Sequence, residues 1–508
     1  MGQHLVVAHY HLRSGGVRRV IETTLPAIAG CGKMDKVTLA VGEKPDPVWL
    51  ERLRESLRGT PLQILTHPGL GYVSEWKHPQ EHTTRGLAEI CRRWIGNADT
   101  VLWLHNAALG RNLPASLAWA EAAKSTGAVI VSHHHDFFFD NRWHLWPEIQ
   151  ASGFLTPTQA AEAALSEGSR TVHVAINRAD FAGLECGFRE RAVWIPNAVD
   201  FARHEPVERS KSDYWILPTR LLRRKNVLEA VLLARWLRPD ARLIITGGAG
   251  SANESAYASR IFQTAKRHQW KLDFSECTEV PVSAAMSSAE CVLMTSLQEG
   301  FGLPYVEAAS AQRPLLGRRL SNVLPDLVSL GLHAPNLYDD VMVPPDLFRA
   351  DLEMDRQFSA WSEWRRSLPA ELRPLCGEPV FCSNSGSAVP FSRLTFDAQE
   401  EILAHSSADL RFALAPLNPG LASIALHPAH LDEKGRTAFS PVSFGRRFHE
   451  AVAVADSAPP PSADAPHRAL DFFLRERLAS QNQYPLLYST RVPASECPNQ
   501  IARFDQKS

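Results

Sequence analysis

Short apolar runs alternate with longer amphipathic ones through the first two thirds of the chain. In the first part the runs HLVVAHY, KVTLAV, TVLWLH, AVIVSHH, TVHVAI and AVWIPN are each six or seven residues long and rich in Val and Ile. Runs that are apolar on both faces predict strands buried in a parallel sheet, and intervening segments such as VRRVIETTLPAIA carry the 3.6-residue period of an amphipathic helix. A second series follows, YWILPT, RLIIT, LDFS, ECVLMTS and PLLG, with helix NVLEAVLLARWL after its first member. Strand and helix in strict alternation predict two α/β units.

Beyond about residue 330 the alternation decays. NLYDDVMVPPDLF reads as loop, and helical patterns then occupy DLFRADLEMDRQFSAWSEWRRSL, FDAQEEILAHSS and SPVSFGRRFHEAVAVA. SAPPPSADAP reads as a semi-rigid linker, with a last candidate helix in DFFLRERLASQ. The expected domains are residues 1–200, 201–330, a mostly helical extension over 331–456 that returns to the earlier domains, and a Pro-rich linker and tail over 457–508. IPNAVDFARHEP joins the first two.

At 508 residues the chain is long enough for more than one core. Its 54 Lys and Arg offset 55 Asp and Glu, which gives no electrostatic basis for a nucleic-acid partner and at most a peripheral contact with membranes. The eight cysteines are scattered without CxxC spacing, so neither a disulfide framework nor a zinc site is signalled. No stretch is long and apolar enough to span a bilayer, and the start reads as a strand and a glycine turn. A soluble, cytoplasmic protein is expected.

The densest chemistry lies in SLQEGFGLPYVEAA, where Glu299 and Glu307 stand eight positions apart across a glycine-rich turn. Glu299 follows a predicted strand; Gly300 and Gly302 let backbone approach a ligand; Pro304 suits the first turn of a helix that would carry Glu307. The amides at that helix start favour anionic groups. A single acid near a helix start is common; the pair, the glycines and the strand together point to a site. This segment resembles the E-x7-E motif of the retaining glycosyltransferases of family 4. That resemblance implies a GT-B fold, two Rossmann-like domains facing a cleft, here with a helical carboxyl-terminal extension. It implies that Glu299 contacts the donor sugar, that Glu307 holds the ribose, and that Gly300, Phe301, Gly302 and Leu303 line the donor.

Other segments extend the resemblance. In TRLLRRKN, Arg220 and Lys225 sit at a strand end and a helix start, suited to a diphosphate, and match the family's GRLxxxK segment with Thr219 in place of glycine. Arg223 and Arg224 read as surface. Gly15 and Gly16 follow the first strand and look like the family's first loop, open to a phosphate or sugar. In VIVSHHHDFFFDNRW, His133 and His135 would share one strand face and His134 the other; His135 and Asp136 match the family's HD beside the donor sugar. A metal held by His133 and His135 with His9 or His11 is the rival for that cluster, but no acid or thiol spacing accompanies it and no metal or other cofactor is expected. Phe137 to Phe139, with Trp143 and Trp146, read as packing.

GGAG at Gly247 lacks the GxGxxG spacing of a dinucleotide site, and Asp339 with Asp340 reads as an exposed acidic turn. After Glu307 the family's glycines are replaced by Gln312, Ser321 and Asn322, and Arg318 with Arg319 stands beside that loop as an alternative anion site or a solvated pair. The expected function is transfer of a hexosyl group, with retention, from a nucleotide diphosphate sugar to the hydroxyl of a small metabolite, a lipid-linked sugar or a glycan. A GT-B epimerase or phosphorylase, or a non-catalytic nucleotide-sugar-binding protein, is the alternative.

Overall fold

The computed structural model describes residues 3–32, 34–77, 83–140, 142–204, 213–247, 252–274, 281–379 and 387–488. Seven parallel strands form the first sheet: β1 (Gln3–Ala8), β2 (Met34–Val41), β3 (Leu62–Thr66), β4 (Thr100–His105), β5 (Val129–His134), β6 (Arg170–Ala175) and β7 (Ala192–Trp194), in the order β3-β2-β1-β4-β5-β6-β7. Alternation within each strand sends successive side chains to opposite cores. Leu5, Val7, Val101, Trp103, Val129 and Val131 join one cluster, while Val6, Ala8, Leu102, Leu104 and Ile130 join another. The expected strands are all present; β3 was not anticipated.

A second sheet contains β8 (Tyr214–Arg220), β9 (Arg242–Gly247), β10 (Leu272–Asp273), β11 (Cys291–Met294) and β12 (Leu315–Arg318), in the order β10-β9-β8-β11-β12 with Leu337–Tyr338 at its edge. Those last two residues pair in parallel with Gly317 and Arg318 inside the segment expected to be loop. Tyr338 is held there by a hydrogen bond from its hydroxyl to Glu229 Oε1 at 2.7 Å, an anchor that sequence periodicity does not reveal. The candidate strand LDFS survives as two residues, and Gly248 and Gly250 of GGAG lie outside the described residues.

In each sheet strand order reverses once, between β1 and β4 and between β8 and β11. Such a reversal leaves a crevice at the strands' carboxyl ends, where ligands of open α/β sheets bind. The loops that end β8 and β11 are tied together across the crevice. Leu297 N donates to Arg224 O at 2.8 Å, and Thr295 Oγ1 donates to Lys225 O at 2.9 Å.

The carboxyl-terminal segments complete the first unit. Helix Pro441–Ser457 puts Phe444, Phe448, Ala451 and Val452 into the core beneath the first sheet. It crosses helix Gly16–Cys31 closely, because a Cβ on Gly445 would stand 2.9 Å from Ala27 O. The following proline run is pinned rather than free: Arg191 donates to the carbonyls of Ala458 and Pro459 at 2.8 and 2.7 Å. Helix Ala465–Arg477 then packs Phe473 against Phe137 and Phe139, with ring centroids 4.8 and 4.9 Å apart.

Candidate active site

Glu299 lies in the loop between β11 and helix Leu303–Ser310, and Lys225 lies in the single helical turn Arg223–Lys225 after β8. The Lys225 ammonium is ion-paired with Glu299 Oε1, and both side chains are about nine-tenths buried, at 11% and 8% exposure. Ser296 Oγ donates to the same oxygen at 2.6 Å, while Arg224 stands 3.7 Å from the other. Burial pushes the Glu299 carboxyl up, but Lys225 and Arg224 outweigh it and hold it below the usual carboxylate range. Burial lowers the Lys225 ammonium, partly offset by Glu299. Arg224 therefore faces the site and is not the surface residue that its sequence position suggested. Arg223 is also enclosed, with Glu254 3.6 Å away.

Arg220 ends β8 with its side chain exposed at the crevice, and its guanidinium is lowered first by burial of its charged end and then by Arg224. No ion pair holds it among the described residues. Glu307 lies within the first helical turns after the glycine loop, buried, and pairs with Arg19 of the first unit at 2.7 Å. Burial raises its carboxyl, with Arg19 opposing.

The opposite wall comes from the first sheet. Asn106, with φ 57°, follows β4 and turns its Oδ1 to accept from the backbone N–H of His135 at 2.8 Å and of Asp136 at 3.3 Å. Left-handed backbone of this kind is tolerated by Asn. Asp136 Oδ1 accepts from Arg142 at 2.5 Å. Burial raises the Asp136 carboxyl, but Arg142, Arg224 and His135 together bring it below the usual range. Burial brings the His135 imidazole down to about 4, so it is neutral near pH 7. Gly300 meets this wall directly. A Cβ there would lie 2.7 Å from His135 O, and Asn177 Nδ2 donates to Gly300 O at 2.7 Å. Only a residue without a side chain lets this glycine loop reach the end of β5 so closely.

Gly302 has φ 78° and caps the helix that carries Glu307. Phe301, by contrast, turns its side chain into the core, with its ring 6.1 Å from Phe439, so only its backbone borders the crevice. Leu303 packs at the margin of the same core. Neither Gly15 nor Gly16 needs left-handed backbone. A Cβ on Gly16 would meet nothing within 4 Å, which leaves open space before helix Gly16–Cys31.

His133 and His135 do share a face, with ring centroids 4.3 Å apart, and His134 turns the other way to His173, its Nε2 3.0 Å from His173 Nδ1. The third member of the first group is His105, not His9 or His11. His105, His133 and His135 bring one ring nitrogen each within 4.8 Å of one another, a spacing open to a metal. The Trp103 indole N–H donates to His133 Nδ1 at 3.2 Å. An indole only donates, so neutral His133 carries its proton on Nε2 and offers no lone pair there. The trio therefore does not fit a three-histidine metal site without breaking that bond, and it reads as neutral, packed imidazoles joined by the 3.1 Å contact of His105 Nδ1 with His135 Nε2.

Arg318 corrects the anion-site alternative. It is 4% exposed and its fork is closed on both oxygens of Glu229, with Asp340 Oδ1 at 2.6 Å. Asp340 is thus part of an ion-pair network, while Asp339 and Arg319 form an exposed pair at 3.1 Å. Asn322 donates to Glu299 O at 2.8 Å and so braces the glutamate's backbone.

Residues 199–334, which contain Arg220, Lys225 and both glutamates, match the family model described as Glycosyl transferases group 1. A mannosylglucosyl-3-phosphoglycerate synthase from Petrotoga mobilis is 25% identical over 347 residues, which is 62% of this chain and 65% of that protein. The match thus spans slightly less than two thirds of the relative's length. Among solved structures, HepE from Anabaena, crystallised with UDP and glucose, superposes with a TM-score of 0.52 at 14% identity, over 89% of this chain and 99% of that one. Sucrose-phosphate synthase from Thermosynechococcus elongatus does so at 0.50 and 14%, over 90% and 100%. The fold is GT-B: two parallel α/β sheets whose crevices face one another.

Proposed function

We propose that the chain is a glycosyltransferase that moves a hexosyl group from a nucleotide diphosphate sugar to an acceptor hydroxyl, with retention at the anomeric carbon. The observation that carries this reading is the buried Glu299, ionised by Lys225, Ser296 and Arg224 and set against the His135 and Asp136 wall. The matching family model supports glycosyl transfer and the name of the Petrotoga relative supports a hexosyl group; the E-x7-E resemblance supports retention.

Arg220 and Lys225 hold the diphosphate and neutralise the charge that develops as the glycosidic bond breaks. Lys225 exchanges part of its pairing with Glu299 for the phosphate, and Glu299 then faces the oxocarbenium-like sugar. Glu307 takes the ribose hydroxyls, exchanging its contact with Arg19. The backbone of Gly300, Phe301, Gly302 and Leu303 borders the donor, and Gly15 with Gly16 leaves it room. Neutral His135 hydrogen-bonds a sugar hydroxyl, and Asp136, held by Arg142, orients sugar or acceptor. Closure of the two units excludes water and suppresses hydrolysis.

A screen of nucleotide sugars for nucleotide release tests this reading. Glu299→Gln is expected to lower kcat by about a hundredfold. Release by no donor, or release unaltered by Glu299→Gln, contradicts it.

A further inference from the structure

Two asparagines with left-handed backbone flank the crevice. Asn106 stands behind His135 and Asp136; Asn226, with φ 48° and ψ 53°, follows Lys225 and opens helix Val227–Leu237. Such backbone is sparsely populated outside glycine and persists where the surroundings fix it. Asn226 is fully buried, and its turn is fixed from two sides. From the loop after β11, Thr295 Oγ1 donates to Lys225 O at 2.9 Å and lies 3.2 Å from Asn226 O. From the helix, Glu229 Oε2 accepts from Asn226 Nδ2 at 2.8 Å.

Glu229 has no exposed surface, and it is itself held by partners beyond Asn226. The Tyr338 hydroxyl donates to its Oε1 at 2.7 Å, and Arg318 Nη2 reaches both oxygens, at 2.6 and 2.5 Å. Arg318 is anchored in turn by Asp339 O and Asp340 Oδ1 at 2.6 Å each, and Ser392 Oγ donates to Asp340 Oδ1 at 2.9 Å. Burying an ion pair gains little net stability over apolar residues of the same volume. What this pair supplies is direction. An ionised carboxylate only accepts, so the Asn226 side chain presents its NH2 group to Glu229 and is not free to bond its own backbone. The angles of Asn226 are thereby set from within the second unit's core.

Those angles decide where Lys225 points. Lys225 ends the single turn Arg223–Lys225, in which Lys225 N donates to Leu222 O at 2.9 Å and Asn226 N to Arg223 O at 3.0 Å. Rotation at Asn226 would swing this turn against helix Val227–Leu237 and carry the ammonium away from Glu299. We infer that Asn226 is a positioning residue for Lys225: the buried Arg318–Glu229 pair locks its left-handed backbone through the side-chain amide, and that backbone aims the Lys225 ammonium at Glu299. The ammonium's further duty to a donor diphosphate rests on the transferase reading; its aim at Glu299 does not. Arg318 acts through Glu229 and Asn226 and touches no ligand.

Asn226→Gly keeps a residue at ease with positive φ and removes the clamp alone. Calorimetric titration of whichever of UDP, GDP and ADP binds most tightly, into the wild type, Asn226→Gly, Lys225→Ala and the double variant, completes a thermodynamic cycle. Asn226→Gly is expected to bind the nucleotide at least about tenfold more weakly than the wild type. In the Lys225→Ala background the same change should alter affinity by no more than about twofold, because the ammonium that it positions is gone. A residue that merely holds the second unit together would weaken binding equally in both backgrounds; that result overturns the inference, as does wild-type affinity in Asn226→Gly. Where the wild type binds no nucleotide, the transferase reading fails, and the aim at Glu299 is decided on the unliganded protein. Acetylation by a limiting acetyl ester, followed by mass spectrometry, should then modify Lys225 several-fold faster in Asn226→Gly than in the wild type, relative to the exposed Lys124. Equal rates at Lys225 in the two proteins overturn the inference.

Discussion

Glu299 is the charged centre of the site, and its charge state is set by neighbours that can be removed singly. Lys225 and Arg224 lower its carboxyl against the effect of burial. A depressed carboxylate contributes stability and a charged form above its ordinary range, both lost as pH falls through the depressed value. The acid limb of kcat/KM governed by Glu299 should therefore lie below the usual carboxylate range in the wild type. In Lys225→Met the largest favourable charge is gone, and the limb should move upward in a pH–rate profile, whatever the loss of rate. Glu307 behaves in the opposite sense. Burial raises its carboxyl, so its charge is a cost that Arg19 offsets. Glu307→Gln should raise the KM for the donor by about tenfold, as for a lost charge-assisted hydrogen bond, and leave the melting temperature unchanged or higher. Arg224 shows why residue-level reading has limits. Three consecutive basic residues look alike in sequence, but the tight turn Arg223–Lys225 aims the middle one at Glu299.

At the scale of elements, strands were legible and their partners were not. Most runs that are apolar on both faces became central strands, because burial on both sides is what such a run reports, whereas AVWIPN and LDFS gave the short edge strands β7 and β10. β3 escaped because LQILT is an edge strand only partly buried along its length, so its pattern is neither continuous nor cleanly alternating. His105 escaped for a different reason: it ends β4, and only the register that sets it opposite His133 brings it into the histidine group. Helix Ala465–Arg477 was visible as a helix but not as part of the site's support. Its Arg477 reaches Asp140 in the loop after β5 and Asp180 at the start of the helix after β6; Asp180 accepts from Asn177, which holds Gly300 O. Arg477→Met would strand two buried carboxylates. It should cost about 3 kcal/mol in urea unfolding. Gly300→Ala would drive a methyl against His135 O and should lower kcat/KM at least about tenfold with little change in the fold, measured alongside circular dichroism.

For the whole molecule, two α/β units were legible in the alternation of the two series, and GT-B architecture was implied by the resemblance carried by the E-x7-E segment, because both signals are local in sequence. The return of helix Pro441–Ser457 beneath the first sheet, and the pinning of the proline run by Arg191, depend on contacts some 270 to 420 residues apart, such as Arg191 with Pro459 and His449 with Ile28. The carboxyl-terminal extension thus forms part of the first unit's core and of the support behind the crevice. We propose that one crevice, walled by Arg220, Lys225 and Glu299 on one side and by His135 and Asp136 on the other, takes a nucleotide diphosphate. Calorimetric titration of UDP, GDP and ADP into the wild type and into Arg220→Ala/Lys225→Ala tests this. One nucleotide bound per chain, with affinity at least about tenfold weaker in the variant, is the predicted result; no binding by any nucleotide, or equal binding by both proteins, contradicts it.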